Sequence, residues 1–257
     1  MVKVFIDPGH GGTDPGAVGN GLQEKNLTLT IARLIREMLL NEFVNVEVRM
    51  SRNSDITVSL AERSTLANNW NANYFLSIHI NAGGGTGFES YIHSSVPSRT
   101  RQLQQVVHPA IISEIQVTNR GQKNANFAVL RNTSMPAILT ENLFIDRTSD
   151  ANLLKDPSFL NRVARGHVNG IAQAFNLQRK PTPPPAGTLY KIQAGAFSDK
   201  ANADRMVSRL RADGYNPYLY QEGGLWKVQV GAFSNRTNAE DLISELARKG
   251  YQAAIVL

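Results

Sequence analysis

Two hydrophobic periods alternate along the first 177 residues of the chain. Apolar runs rich in β-branched and aromatic side chains predict short strands, at residues 2–6, 44–50, 74–81, 87–92, 127–130 and 135–140. Between them, apolar residues recur at helical spacing, as in Leu27, Ile31 and Ile35, and predict amphipathic helices. Strands that alternate with helices indicate an α/β fold, a mostly parallel sheet with helices on both faces.

The last part of the chain is an internal repeat. Residues 190–198, YKIQAGAFS, match residues 226–234, WKVQVGAFS, at an offset of 226 − 190 = 36. Each copy predicts a strand, a turn, an amphipathic helix and another strand, and two such small units are expected to share one sheet. Residues 178–188, QRKPTPPPAGT, predict an extended proline-rich linker. We therefore expect one domain at 1–177, a linker at 178–188 and a second domain at 189–257.

Composition narrows the class of protein. The 257 residues are 42% hydrophobic and 19% charged, which is typical of globular domains. Cysteine is absent, so disulfides and thiolate metal ligands are excluded, and no apolar run is long enough to insert into a membrane. The N-terminus enters a strand directly, so we expect a protein made without a signal peptide. The net charge of +6 favours anionic surroundings such as nucleic acid, a membrane surface or a polyanionic cell wall.

Candidate chemistry lies at the ends of the predicted elements. His10 follows the first strand in the sequence DPGHGG, Glu24 opens the first helix, and His79 lies near the end of another strand. Two imidazoles and a carboxylate are a ligand set that a catalytic Zn²⁺ can use, and Glu141, just after a further strand, could serve as a proton-transfer group. The spacing is not a compact zinc motif. Glu24 could equally be a first-turn helix carboxylate and His79 a core histidine.

The motifs that carry these residues resemble a known family. VFIDPGHGG, the helix-opening Glu24, FLSIHIN and AILTEN resemble the zinc-dependent N-acetylmuramoyl-L-alanine amidases of the amidase-3 family over residues 1–177. The resemblance implies His10, Glu24 and His79 as zinc ligands and Glu141 as the catalytic carboxylate. It also implies a single sheet of about six strands. More weakly, it suggests substrate-binding or supporting roles for Arg63 and Asn81, although Arg63 could equally form a structural ion pair.

The repeated tail resembles the SPOR peptidoglycan-binding domain, a small α+β unit with a four-stranded sheet and two helices. The whole arrangement is similar to the sporulation mother-cell-wall amidases of bacilli. It implies cleavage of the amide between the lactyl group of N-acetylmuramic acid and L-alanine in peptidoglycan. We expect a monomer that binds no nucleic acid and acts in the cell wall or outside the cell after release on lysis.

Other functions remain open at the level of the residues. A glycoside hydrolase could use Glu24 and Glu141 as its acid and base, but it would leave His10 and His79 unexplained. A non-catalytic wall-binding protein needs only the tandem repeat. A nucleic-acid binder would suit the basic tail, but the tail lacks the aromatic strand signature of an RNA-binding module.

Overall fold

The computed structural model describes residues 1–180 and 189–257, which belong to two compact units, Met1–Lys180 and Pro181–Leu257. Most of the predicted linker, 181–188, lies outside the described residues. The first three linker positions bond to the first unit. Gln178 accepts a hydrogen bond from the backbone N–H of Val44, and the backbone N–H of Lys180 donates to Glu42. The backbone of residues 178–180 is therefore hydrogen-bonded to the rest of the first unit.

The first unit alternates strands and helices, as its hydrophobic pattern predicts. The strands are β1 (Val2–Pro8), β2 (Val18–Gly19), β3 (Leu22–Gln23), β4 (Val46–Met50), β5 (Tyr74–Asn81), β6 (Phe88–Ile92), β7 (Asn119–Asn124) and β8 (Ala137–Phe144). The helices are α1 (Glu24–Glu42), α2 (Leu60–Asn69), α3 (Ser98–Ile115), α4 (Ala128–Arg131), α5 (Thr148–Leu154) and α6 (Pro157–Phe175).

Six of these strands form one sheet in the order β4-β1-β5-β8-β6-β7. Neighbouring strands are parallel except β6 and β8, which run antiparallel. The predicted fold class, a mostly parallel sheet of about six strands, is confirmed. Because β1, β5 and β8 are parallel neighbours, their carboxyl ends lie side by side at one edge of the sheet. Residues that follow these strands are thereby brought together.

Successive side chains along the strands pack on opposite faces of the sheet. On one face, Val4 and Ile6 belong to a large core that α1, α3 and α6 complete. On the other, Phe5 and Phe75 stack with ring centroids 5.8 Å apart in a smaller core closed by α2 and α4. Strands buried on both sides require apolar residues at nearly every position, which explains the continuous apolar runs in the sequence.

One predicted strand was wrong. Residues 127–130 form a turn and the short helix α4 instead of a strand, and Val129 and Leu130 pack into the smaller core. The sixth strand of the sheet is the polar segment β7, which pairs with β6 at the edge. Backbone pairing at an edge requires no buried side chains, so this strand has no apolar signature.

The second unit is the small α+β domain that the repeat predicts. Its elements are β9 (Tyr190–Phe197), α7 (Lys200–Ala212), β10 (Tyr218–Glu222), β11 (Leu225–Phe233), α8 (Arg236–Arg248) and β12 (Ala254–Val256). The four strands form one antiparallel sheet in the order β10-β11-β9-β12, so the two repeats share it as predicted. Equivalent residues of the repeats, such as Leu210 and Leu246, are both fully buried in its core. In the described ranges, no helix is long and apolar enough to cross a membrane.

Candidate metal centre

His10 is placed by the sharp turn that ends β1. Its backbone is left-handed, with φ of 62°, so the chain reverses just after the strand and the imidazole points back over the sheet edge. Gly9 makes this approach possible, because a Cβ at that position would lie 2.4 Å from Cε1 of His79. The DPGHGG sequence is thus a turn that brings two histidine rings, one from β1 and one from β5, to a centroid separation of 5.0 Å.

Glu24 is the first residue of α1, and it is delivered to the sheet edge by the β2–β3 hairpin that precedes the helix. The side chain is only 4% exposed. Its Oε2 accepts a hydrogen bond from the backbone N–H of Ala17, and its Oε1 accepts one from the backbone N–H of Ile80. These bonds fix both oxygens of the carboxylate. Its position is therefore more specific than that of a solvent-facing first-turn carboxylate.

The three predicted ligand residues meet in one cluster. Nε2 of His10 lies 3.1 Å from Oε2 of Glu24, and Nδ1 of His79 lies 2.9 Å from Oε1 of the same carboxylate. One donor atom from each residue lies within 4.8 Å of the other two. Two imidazole nitrogens and one carboxylate oxygen on three separate elements are a donor set for a first-row divalent metal. The residues therefore fit a bound metal ion.

The charges of the cluster are strongly coupled. Burial alone would lower the pKa of His10, but its hydrogen bonds to Glu24 and Asp14 raise it to about 9. The pKa of His79 is raised as well, because its bond to Glu24 outweighs the effect of burial. Conversely, burial opposes ionisation of Glu24, yet the two histidines hold its pKa well below the usual range. Glu24 is thus held as a carboxylate, the form that a metal ligand requires.

Asp14 is a candidate site residue that the sequence analysis missed. Its Oδ2 lies 2.8 Å from Nδ1 of His10, on the side of the ring opposite Glu24. A carboxylate in this place fixes the orientation of a ligating imidazole and raises its basicity. Asp14 also accepts a hydrogen bond from the backbone N–H of Gly16, which shapes the loop before the hairpin. The sequence signal was an aspartate four residues after the candidate histidine in a glycine-rich loop.

Glu141 lies beside the cluster on β8, in register with His79 on β5. Its Oε2 is buried and, in the part of the chain that the structure describes, has no hydrogen-bond partner. Burial raises the pKa of Glu141 to about 7, helped by the charges of Glu24 and Glu89 and opposed by His79 and His10. A carboxyl group with a pKa near neutrality and a free oxygen can both accept and donate a proton.

Arg63 lies beneath the cluster rather than in open solvent. Its guanidinium donates to Oδ1 of Asp7 at 2.8 Å, to the carbonyl of Pro8 at 2.7 Å and to the carbonyl of His10 at 2.8 Å. Asp7 in turn accepts hydrogen bonds from Ser51 and Ser77. The buried Asp7–Arg63 pair therefore holds the backbone of the turn that carries His10. A substrate contact of Arg63 stays a prediction.

Asn81 belongs to a second polar cluster next to Glu141. Its amide nitrogen donates to Oε1 of Glu89 at 2.8 Å, and its side-chain oxygen accepts from the backbone N–H of Ala82. Glu89, which is 2% exposed, lies directly opposite Glu141 across the β6–β8 pair. Burial would raise the pKa of Glu89, but Lys123, Tyr91 and Arg120 bond to it and lower it. The predicted substrate role of Asn81 likewise stays a prediction.

A cavity of about 540 Å³ opens over the cluster. Its polar end is formed by His10, His79 and Glu141, and its apolar walls include Leu60, Phe127 and Val129. Leu60 and Phe127 are 59% and 39% exposed, so the apolar walls reach the surface. A concave site with apolar walls and a few converging polar groups is the usual form of an enzyme active site.

Similarity to known proteins agrees with this geometry. The sequence model of the N-acetylmuramoyl-L-alanine amidase family matches residues 4–173, and the model of the SPOR domain matches residues 186–257. Over 216 residues, the chain is 55% identical to the sporulation-specific N-acetylmuramoyl-L-alanine amidase of Bacillus subtilis, covering 84% of this chain and 83% of that protein. It is 48% identical over 183 residues to the endolysin of Bacillus phage SPP1, covering 69% and 67%.

Solved structures show the same catalytic fold. The N-acetylmuramoyl-L-alanine amidase of Clostridium difficile 630 superposes with a TM-score of 0.66 at 35% identity, covering 68% of this chain and 97% of that one. The catalytic domain of the amidase CwlV of Bacillus (Paenibacillus) polymyxa var. colistinus also gives 0.66, at 34% identity, with 69% and 100% covered. The family match covers more than half of the chain and includes the whole cavity. The chain therefore belongs to the N-acetylmuramoyl-L-alanine amidase family and is an enzyme of that class.

Proposed function

We propose that the protein is a zinc-dependent amidase that cleaves peptidoglycan between the lactyl group of N-acetylmuramic acid and L-alanine. The observation that carries the proposal is the cluster of His10, Glu24 and His79 with Glu141 beside it at the polar end of one cavity. Imidazole and carboxylate donors at an open three-residue site are typical of catalytic zinc. The family match and the relatives named above support the substrate.

In this proposal His10, Glu24 and His79 hold the zinc ion, and Asp14 orients the ring of His10. When bound, zinc supplies Lewis-acid polarisation of the scissile carbonyl and makes water more acidic. Glu141 accepts the proton that the attacking water loses as its oxygen bonds to the lactyl carbon. It then delivers that proton to the nitrogen of L-alanine as the C–N bond breaks, which leaves a lactyl carboxylic acid and a free amine.

The glycoside hydrolase alternative is less well supported. A glycosidase of that kind needs one carboxyl group held protonated as a general acid and a second placed across the sugar ring. Glu24 is bonded to two histidines and two backbone N–H groups. Both oxygens of Glu24 are committed to these contacts. For Glu24 to act as an acid or base on a sugar, its contacts with His10 and His79 would have to break.

The second unit is proposed to bind peptidoglycan while residues 1–177 hydrolyse it, with 178–188 as the linker. On the sheet face opposite its apolar core, Tyr218 lies in register with Gln229 and Tyr220 with Lys227, and Gln193 pairs with Gln229. Tyr218 and Tyr220 stack at 5.7 Å, and Tyr218 is 64% exposed. Flat aromatic rings beside amide and ammonium groups suit a sugar surface. Tethering then raises the enzyme concentration at the wall.

We infer the biological setting from the relatives. The 55% identity to a sporulation-specific amidase supports a role in lysis of the mother-cell wall during sporulation, with the cell wall as the site of action. The cavity and the cluster are built from one chain, which supports a monomer as the functional unit. The non-catalytic alternative is disfavoured because a binding protein has no need for a buried cluster of ligand groups beside a carboxyl group poised near neutral pH.

The test is a product analysis. Purified cell walls digested by the protein should gain free amino groups of L-alanine and no new reducing sugar ends. A chelator should stop the reaction, and added zinc should restore it. New reducing ends as the main product would support the glycosidase, and the absence of any product with zinc present would support a binding protein.

A further inference from the structure

The polar cluster around Glu89 has no part in the reaction as described, yet it lies next to the catalytic carboxylate. Oε2 of Glu89 accepts from Nε of Arg120 at 2.8 Å and from Nζ of Lys123, while its Oε1 accepts from Asn81 and Tyr91. Glu89 thus has four hydrogen bonds and no capacity left for a ligand. Its visible effect is to fix the two cations on β7 in place.

The two cations are more than Glu89 needs for charge balance. One carboxylate faces an arginine and a lysine, so the cluster carries a net charge of +1. Arg120 and Lys123 are 34% and 35% exposed, whereas Glu89 is buried. Arg120 uses only its Nε in this contact. Within residues 1–180 and 189–257, no protein group accepts a hydrogen bond from its terminal Nη atoms. A guanidinium whose terminal nitrogens are both free can donate hydrogen bonds to a carboxylate.

Apolar contacts connect the cations to the cavity. The Arg120 guanidinium lies 4.8 Å from the ring centroid of Phe144, and the Lys123 ammonium lies 5.8 Å from that of Tyr91. The Tyr91 ring packs edge-on against Phe127, with centroids 5.3 Å apart, and Phe127 lines the cavity. A wall formed by the rings of Phe127 and Tyr91 therefore runs from the cavity to Lys123, and Arg120 adjoins it because both cations bond to Oε2 of Glu89. The stacking also restricts both flexible side chains before any ligand arrives.

The distance along this wall matches a peptide. Glu89 lies opposite Glu141 on the neighbouring strand β6, and β7 is one strand farther, so the backbone of Arg120 is about 10 Å from that of Glu141. The charged groups of Arg120 and Lys123 reach back to Glu89, which brings them to about 5–10 Å from the catalytic carboxylate. An extended peptide advances about 3.5 Å per residue. A carboxylate on the residue after L-alanine would lie about 7 Å beyond the scissile nitrogen. Glu141 would lie on the other side of that nitrogen, about 3 Å from it. The lactyl side offers no free acid, because its carboxyl group is the acyl part of the amide.

We propose that Arg120 and Lys123, held by Glu89, form a subsite for the carboxylate on the stem-peptide residue that follows L-alanine. This inference rests on the proposed amidase function and adds a preference within it. A stem whose second residue is D-glutamate with a free α-carboxylate is bound through the two cations. A stem with D-isoglutamine at that position, which carries an amide instead, leaves them without a charged partner.

The test uses two soluble muropeptides that differ only in this carboxylate or amide, and the full-length zinc-loaded protein. Wild-type kcat/KM should be about 10-fold higher for the acid, as expected for a partly exposed charged hydrogen bond. Arg120→Gln should lower kcat/KM for the acid by about 10-fold and leave the amide within about twofold of wild type. Lys123→Gln should act in the same direction. Arg101→Gln, on the exposed face of α3, removes the same charge and should change neither value.

Two outcomes would overturn the subsite. Equal wild-type kcat/KM for the acid and the amide would show that the carboxylate is not recognised. An equal loss on both substrates in Arg120→Gln would show that Arg120 only supports the structure through Glu89. Because the amide substrate reports hydrolysis without the subsite, either outcome leaves the proposed amidase reaction intact. No hydrolysis of either substrate by the wild type would instead refute the reaction itself.

Discussion

The Glu141→Gln variant isolates the proposed proton transfer from metal binding. The substitution keeps the size of the side chain and replaces an oxygen that has no partner in the described structure. It leaves His10, Glu24 and His79 in place. Burial raises the pKa of Glu141 to about 7, close to neutral pH, so the carboxyl group can both accept and donate a proton there. The amide of glutamine cannot accept a proton at any working pH.

The expected loss in kcat is about 10²–10⁴-fold, the usual contribution of a general acid–base group. At about 1.4 kcal/mol for each factor of ten, this equals about 3–5 kcal/mol of barrier. Stability should not fall, because a buried and unpartnered charge is removed. Turnover on a soluble muropeptide, zinc content and the denaturation midpoint are measured together. Glu37→Gln, on the exposed face of α1, is the matched control. Turnover within about threefold of wild type in a folded, zinc-loaded Glu141→Gln protein would refute the role of Glu141.

Three further predictions concern the groups around the site. Asp14→Asn should weaken zinc affinity by about 10–100-fold, because it removes the carboxylate bonded to Nδ1 of His10, and unchanged affinity in a chelator competition would contradict this role. Arg63→Met should lower the free energy of unfolding by about 3–5 kcal/mol, since it leaves Asp7 charged and buried, and a loss below about 1 kcal/mol in urea denaturation would count against the buried pair. Burial lowers the pKa of His167 from 6.5 to about 4. As the pH falls, His167 is therefore protonated in the unfolded chain before it is protonated in the folded one, and the free energy of unfolding should fall by about 2 kcal/mol between pH 7 and pH 5. His167→Gln should abolish this part of the pH dependence, and an unchanged slope would contradict the assignment.

The residues alone left the cluster of His10, Glu24 and His79 as one interpretation among several, and the resemblance of the surrounding motifs to the amidase family is what singled it out. Strands buried on both faces have an unambiguous pattern, and parallel strands necessarily bring their carboxyl ends together. In the structure β1 and β5 are such parallel neighbours, which brings His10, just after β1, close to His79 near the end of β5. The tandem repeat was equally clear, since residues 36 positions apart occupy the same places in the core.

Residues held by hydrogen bonds rather than by apolar burial could not be found in this way. The edge strand β7 carries no apolar pattern. Val129 and Leu130 are apolar neighbours as in a buried strand, yet they lie in the short helix α4, from which both are buried in the smaller core. The sequence around Glu89 also does not indicate that this residue is buried and accepts four hydrogen bonds. Such contacts depend on register between strands that are distant in the sequence, and a charged residue looks the same in sequence whether it is solvated or paired.

That His10, Glu24 and His79 together hold one catalytic zinc ion is the proposal on which the mechanism depends. Its most direct test is the zinc content of the purified full-length protein and of His10→Ala, Glu24→Ala and His79→Ala, measured by elemental analysis after dialysis against zinc-free buffer. The wild type should retain one zinc per chain. Each variant should lose most of it while keeping the circular dichroism of a folded α/β protein. Full zinc retention in all three folded variants would contradict the assignment.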